Sequence, residues 1–208
     1  MEDKNLIPFS FTFLPEALND KGVAKKKLSD PFPAHQYIKK YEDKRIDLNK
    51  NGLAIRTGVK IDSDHYNILI DIDTPDDTII KWFDFLRDNG IDDHFKLNTP
   101  TQQTGKNGYH YIFKINKLNY DRIRSRTGIT YKDIHYNIDV KFNNSCQFVE
   151  PSNYQDINGN TKYYKWLKSP ADININILPE FLLNFIISNE TKKPEKKEAT
   201  AEHNTDNL

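Results

Sequence analysis

The 208-residue sequence contains a single cysteine, Cys146. An internal disulfide is therefore excluded, and so is a zinc module built on cysteines. Neither sign of charge is in excess, because 30 Lys and Arg residues balance 30 Asp and Glu residues. Any contact with a polyanion must come from a local patch, not from global attraction. No apolar run reaches the roughly 20 residues that a membrane-spanning helix needs. Met1-Glu2-Asp3-Lys4 leads into only a short apolar patch, unlike a secretory signal. These absences give the expectation of an intracellular chain, not secreted and with no membrane partner. Internal repeats are also lacking, and the length suits one domain with a tail.

What the sequence does have is a strand with an acidic end. In Tyr66-Asn67-Ile68-Leu69-Ile70-Asp71-Ile72-Asp73, period-2 alternation puts Tyr66, Ile68, Ile70 and Ile72 on one face. The other face carries Leu69, Asp71 and Asp73. Carboxylates at i and i+2 lie about 7 Å apart at their Cα atoms, so their oxygens can converge on one divalent cation or a close pair. The strand is expected to emerge with its acids at a sheet edge.

Other segments surround it in order. Phe9, Phe11 and Phe13 alternate as in a short strand. Lys25-Lys26-Lys27 reads as a solvated loop, with a phosphate-facing role as the sharper alternative. After Asp30-Pro31-Phe32-Pro33 a helix is expected over Ala34 to Tyr41. Leu53 to Arg56 forms a strand ending at Gly58, and Arg56 is either a surface residue or a phosphate ligand. Thr74 as N-cap and Pro75 at the first turn open a helix over 75–89, with Ile79, Ile80, Phe83 and Leu86 inward and Gly90 as the stop. Asp76 and Asp77 are first-turn acids suited to the helix dipole.

Phe95 to Thr99 reads as a strand ended by Pro100, and Thr101 to Gly108 as a polar, flexible segment. The segment delivers strand Tyr109 to Ile115, with Tyr109, Tyr111, Phe113 and Ile115 on one face and His110 opposite. A Gly-Lys loop offers backbone N–H groups and a lysine to anions, which points His110 and Lys106 toward a phosphate or nucleotide. Residues 117–133 are polar and helical in part, with Leu118, Tyr120 and Ile123 as their apolar positions. Their Arg122, Arg124 and Arg126 are either spread over the surface or a strip for a nucleic-acid backbone.

The strand 136–142 points Tyr136, Ile138, Val140 and Phe142 one way and Asn137, Asp139 and Lys141 the other. Asp139 among apolar neighbours is costly unless it is paired or binds a metal. Strands at Cys146–Val149 and Tyr163–Trp166 and a closing helix from Leu178 to Ile187 follow. Residues 190–208 lack apolar periodicity and read as a disordered tail or linker after a domain over 1–189.

Three carboxylates from two strands suit Mg²⁺ or Mn²⁺, hard ions that prefer oxygen. Two such ions can activate an attacking oxygen and stabilise a leaving pyrophosphate. The order of these segments resembles the archaeo-eukaryotic primase superfamily, in its bifunctional primase/polymerase N-terminal domain. Leu69-Ile70-Asp71-Ile72-Asp73 is similar to the first, metal-binding motif. Thr99-Pro100 with Gly105 to Phe113 is similar to the second, nucleotide-binding one, and Ile138-Asp139-Val140-Lys141 to the third. Phe148 to Ser152 and Tyr164-Lys165-Trp166 resemble trailing elements. Gly108 stands where some relatives carry a serine, Glu150 where many carry a second proline, and the second motif is lengthened by Gln102-Gln103-Thr104.

The resemblance implies an α+β fold, with an RRM-like catalytic sheet packed against a small N-terminal αβ part. It implies Asp71, Asp73 and Asp139 as metal ligands and His110 on the triphosphate, with Lys106, Lys141 and Arg56 as phosphate partners. The implied activity is nucleotide transfer from (d)NTPs on a single-stranded DNA template, beside a replicative helicase, in the cytoplasm or at a viral or plasmid replication site. The alternatives are a non-catalytic module that binds single-stranded DNA and a two-metal phosphohydrolase or nuclease.

Overall fold

The computed structural model describes residues 8–28, 49–73, 76–131, 134–143 and 145–188. The helix expected at Ala34 to Tyr41, the caps Thr74 and Pro75, the Asp76 side chain and the 190–208 tail lie outside the described residues. The fold is α+β. Its centre is a five-stranded sheet made of β5 (His65–Ile72), β6 (Thr101–Gln103), β7 (Tyr109–Asn116), β10 (Ile138–Lys141) and β14 (Lys165–Lys168), in the order β10-β5-β7-β6-β14. Every pairing in it is antiparallel.

Alternation in the sequence decides the two faces of this sheet. Ile68, Ile70 and Ile72 of β5, Tyr111, Phe113 and Ile115 of β7, and Ile138 and Val140 of β10 form one continuous apolar layer. Helices α1 (Asp76–Asp88) and α2 (Glu180–Ser188) cover it with Trp82, Phe85 and Leu86 and with Leu182, Phe185 and Ile186. The inward face of α1 is thus set by Thr78, Trp82, Phe85 and Leu86, with Ile79 and Phe83 at its flanks, whereas Ile80 is exposed. The α1 helix stops as expected, with Gly90 at φ 82°. Asp77 is exposed and pairs with Lys81 at 2.9 Å.

The opposite face carries Leu69 and Ile112, which pack with Ile55 and Val149 of a second sheet. That sheet has β4 (Gly52–Arg56) between β1 (Pro8–Phe11) and β11 (Cys146–Val149). Its outer side meets the hairpin of β2 (Phe13–Leu18) and β3 (Ala24–Leu28) through Phe13, Ala54, Tyr154 and Tyr164. Two further hairpins pair β8 (Ile129–Tyr131) with β9 (Ile134–Tyr136), and β12 (Asn153–Gln155) with β13 (Thr161–Tyr163).

Several expectations are corrected. Residues 95–99 form no strand. His94–Leu97 is a short 3-10 helix, because the Asp93 side chain accepts a hydrogen bond from Phe95 N at 2.9 Å and Asn98 turns left-handed at φ 45°. Local side-chain bonding of this kind competes with strand formation. The strand lies after Pro100 instead, so Thr101–Gln103 is a buried part of the sheet and not a flexible segment. The segment expected to be helical in part does hold a 3-10 helix over Lys117–Arg122, with Leu118 exposed and Ile123 buried. The lysine run is not a solvated loop, since it forms β3 and its middle residue is half-buried. Strand β5 is not at a sheet edge but is flanked on both sides. Among the described residues no helix is long and apolar enough to cross a membrane.

Asn67 joins the two sheets. It is fully buried; its Oδ1 accepts from Val59 N at 2.9 Å and its Nδ2 donates to Arg56 O at 2.7 Å. Replacing it by an isosteric apolar residue leaves two buried backbone groups unpaired, which costs about 2–4 kcal/mol. Asn67→Leu is therefore expected to lower the unfolding free energy by that amount in urea denaturation. A change under about 0.5 kcal/mol, the scale of ordinary surface substitutions, would show that this tie is not needed.

Candidate metal centre

Register builds the site. Asp139 of β10 pairs directly with Asp71 of β5, Asp71 with His110 of β7, and His110 with Gln102 of β6. One row of side chains therefore runs across four strands, on the face turned toward the second sheet. Asp73 follows just past the end of β5, held by its N–H donating to Asn137 O at 3.0 Å. One carboxylate oxygen from each of Asp71, Asp73 and Asp139 lies within 4.8 Å of the others. Such a set can hold a divalent ion that prefers oxygen.

The donor set fits a cation on a further observation. Asp71 is buried, and its Oδ1 accepts no hydrogen bond although His110 Nε2 stands 3.1 Å away. An anionic oxygen left in that state calls for a positive charge. Asp139 is better provided: its Oδ1 accepts from Gly128 N at 2.9 Å and its Oδ2 from Lys141 Nζ at 2.6 Å. Lys141 Nζ also lies 3.8 Å from Asp71 Oδ2.

Burial opposes ionisation of Asp71, but the charges of His110, Lys141 and Lys26 outweigh it and hold the carboxyl below its usual range. Burial likewise works against the Lys141 ammonium, yet Asp71, Asp139 and Asp73 hold its pKa above the ordinary value. Asp73 behaves differently. Loss of water around its carboxyl, then the nearby Asp71 and Asp139, push it from 3.8 up to about 6.

Two glutamines complete the centre, and sequence reading missed both. Gln102 Nε2 lies 2.6 Å from His110 Nδ1 and donates to Phe148 O at 2.7 Å. Gln147 Nε2 donates to Asp71 Oδ2 at 2.8 Å and sits 2.7 Å from His110 Nε2. His110 is buried and both its ring nitrogens are taken up. The available signal was strand position: Gln147 alternates with Cys146 and Phe148, and Gln102 follows Thr101 in a segment that read as a loop.

Of the other expected residues, Lys106 sits on the rim and pairs with the buried Glu16 at 3.0 Å. Arg56 lies in the second sheet, paired across to Cys146, and is placed apart from the acid row by its strand. Burial pushes the Cys146 thiol up to about 12 against the pull of Arg56, which makes it an unreactive cysteine. A Cβ at Gly108 would fall far inside contact with the Ile72 carbonyl oxygen, next to Asp73. The absence of serine there is thus a steric requirement of this chain: the loop backbone presses on the end of β5.

No protein-family model matches this sequence, and no curated protein is similar to it.

The raised Asp73 carboxyl has a stability consequence. Its folded value of about 6 exceeds the ordinary 3.8, so the metal-free fold loses stability as pH rises through that window, when Asp73 ionises against its neighbours. A divalent cation removes that repulsion. Thermal melts with and without Mn²⁺ are expected to show a larger metal-induced rise at pH 7 than at pH 5, and Asp73→Asn is expected to abolish the difference. Equal rises at both pH values in the wild type would contradict this account.

Proposed function

We propose that the chain is a nucleotidyltransferase of the archaeo-eukaryotic primase type, which adds nucleotides from (d)NTPs to a chain growing on a single-stranded DNA template. The observation that carries this reading is the convergence of Asp71, Asp73 and Asp139 from neighbouring strands. The five-stranded antiparallel sheet with α1 and α2 on one face supports an RRM-like catalytic sheet. On this reading β1, β4 and the β2–β3 hairpin would belong to the small N-terminal part, with β11 completing its sheet from later in the chain.

Mg²⁺ or Mn²⁺ held by the three carboxylates would supply Lewis-acid activation of an attacking oxygen and charge neutralisation at a leaving pyrophosphate. The protein's own residues set the stage for that chemistry. Gln147 holds Asp71 through Oδ2, which leaves Oδ1 available to the cluster. Lys141 bonds Asp139 at 2.6 Å and stands 3.8 Å from Asp71, so its ammonium lies beside the acid cluster where a phosphate would be brought. A phosphate oxygen reaching His110 Nε2 would take the place that the Gln147 amide now holds. The template is expected to be opened by a replicative helicase acting as partner.

The test is incorporation of labelled nucleotides on a single-stranded template, with and without primer, alongside DNA binding. Asp71→Asn, Asp73→Ala and Asp139→Asn are each expected to lower incorporation at least about a hundredfold, the scale of removing one preorganised charge-stabilising group. Folding and DNA binding should persist. Undiminished incorporation by Asp73→Ala would sink the metal assignment. DNA binding without incorporation in the wild type would make the chain a binding module, and release of nucleotides from a labelled strand without added dNTP would make it a nuclease.

A further inference from the structure

Lys26 is the charged residue whose placement the acid row does not explain. It comes from β3, across the second sheet's outer side, yet it senses the charges of Asp71, Asp73, Glu16 and Lys106. Its Nζ donates to the Tyr164 hydroxyl at 2.6 Å. The same nitrogen stands 4.9 Å from the ring centre of Tyr154, 5.1 Å from that of Tyr164 and 5.9 Å from that of Phe148. Among the described residues no carboxylate forms an ion pair with it. Three aromatic faces and one hydroxyl are a weak replacement for water around an ammonium. Burial accordingly lowers its pKa to about 8, with the charge of Asp71 opposing the fall.

A second observation points to a ligand at the same place. Tyr154 is 1% exposed, and its hydroxyl is buried with no hydrogen-bond partner among the described residues. It abuts Gly105, where a Cβ would come within 3.1 Å of that hydroxyl oxygen. The Gly105-Lys106 loop, which the sequence marks as an anion-binding candidate, therefore meets the Lys26 cage. The Lys26 ammonium and the Tyr154 hydroxyl can both donate here, and the acid beside them, Glu16, is paired with Lys106 at 3.0 Å. The acid cluster and its cation site lie alongside.

We propose that Lys26, positioned by Tyr164, contacts the triphosphate tail of the nucleotide, with the Tyr154 hydroxyl as a second donor. The proposal rests on the nucleotidyl-transfer reading and names a residue of that site from a part of the chain outside the acid and histidine motifs. The tail would span from the acid cluster, where Asp71, Asp73 and Asp139 would hold a divalent ion that neutralises phosphate charge, to the caged ammonium. The anion returns to Lys26 the countercharge that its aromatic walls lack. Tyr164 acts as a positioning residue, since its hydroxyl fixes where the ammonium stands.

Calorimetric titration of the full chain with inorganic triphosphate in Ca²⁺ buffer tests this. Lys26→Met keeps the apolar stem and is expected to weaken binding about tenfold or more, the worth of one charge-assisted hydrogen bond. Lys26→Arg is expected to recover most of the affinity. Tyr164→Phe is expected to raise KM for the nucleotide while leaving kcat within about twofold, because only binding geometry is altered. Absence of binding by the wild type, wild-type affinity in Lys26→Met, or a loss that follows a fall in melting temperature and is not rescued by arginine would each overturn the proposal. Loss of oligonucleotide binding with triphosphate binding intact would overturn it as well. Asp73→Asn separates the two readings: unchanged triphosphate binding there, with a loss in Lys26→Met, upholds the lysine and removes the divalent ion.

Discussion

The cross-strand register of β10, β5 and β7 is the constraint on which the rest of this structure depends. Pairing Asp139 with Asp71 and Asp71 with His110 places two carboxylates and an imidazole side by side in a buried row. Directly opposed like charges destabilise a sheet. The row survives because the same strands deliver Lys141 at 2.6 Å from Asp139, and the second sheet delivers Gln147 at 2.8 Å from Asp71. A slip of one residue in either pairing would turn these side chains into the apolar layer beneath the helices. The isoleucines of β5 and the aromatics of β7 therefore do two things at once. They form the core, and they hold the acids on the opposite face.

What the sequence made legible follows from this. One face is apolar at every second residue through Tyr66–Ile72 and Tyr109–Ile115, so the strands, their faces and the polar positions Asp71 and His110 could be read directly. Asp139 stood out because an acid among apolar neighbours needs a reason. Other features were hidden for physical reasons. A glutamine has the same appearance in a loop as in a buried row, so Gln102 and Gln147 carried no signal until strand pairing gave them neighbours. Ile80 and Trp82 compete for the inward face of α1, and only packing against the sheet favours the larger ring. The Phe95 segment has strand-forming side chains, but an Asp93 cap turns it first. Lys26 was one of three identical residues, and nothing local separates the caged one from its neighbours.

The charge balance of the whole chain conceals a strongly polarised interior. With equal numbers of acids and bases, the chain shows no net field, yet four acids and three lysines gather around one end of the β5–β7 pair. Each lysine answers the acids in its own way. Lys141 bonds to them, Lys106 pairs with Glu16 on the rim, and Lys26 stands off behind aromatic rings. In this arrangement lost hydration and the neighbouring acids push Asp73 up to about 6, which makes it responsive to an arriving cation.

The Gln102 amide touches the His110 ring from within the central sheet and, with its other hydrogen, the Phe148 carbonyl of the second sheet. The Gln147 amide stands at the far nitrogen, and the imidazole accepts a hydrogen bond from whichever amide faces its unprotonated nitrogen. Packed between two amides on opposite edges, the ring stands as a peg between the sheets. The two layers cannot slide past each other without breaking a buried bond at that peg.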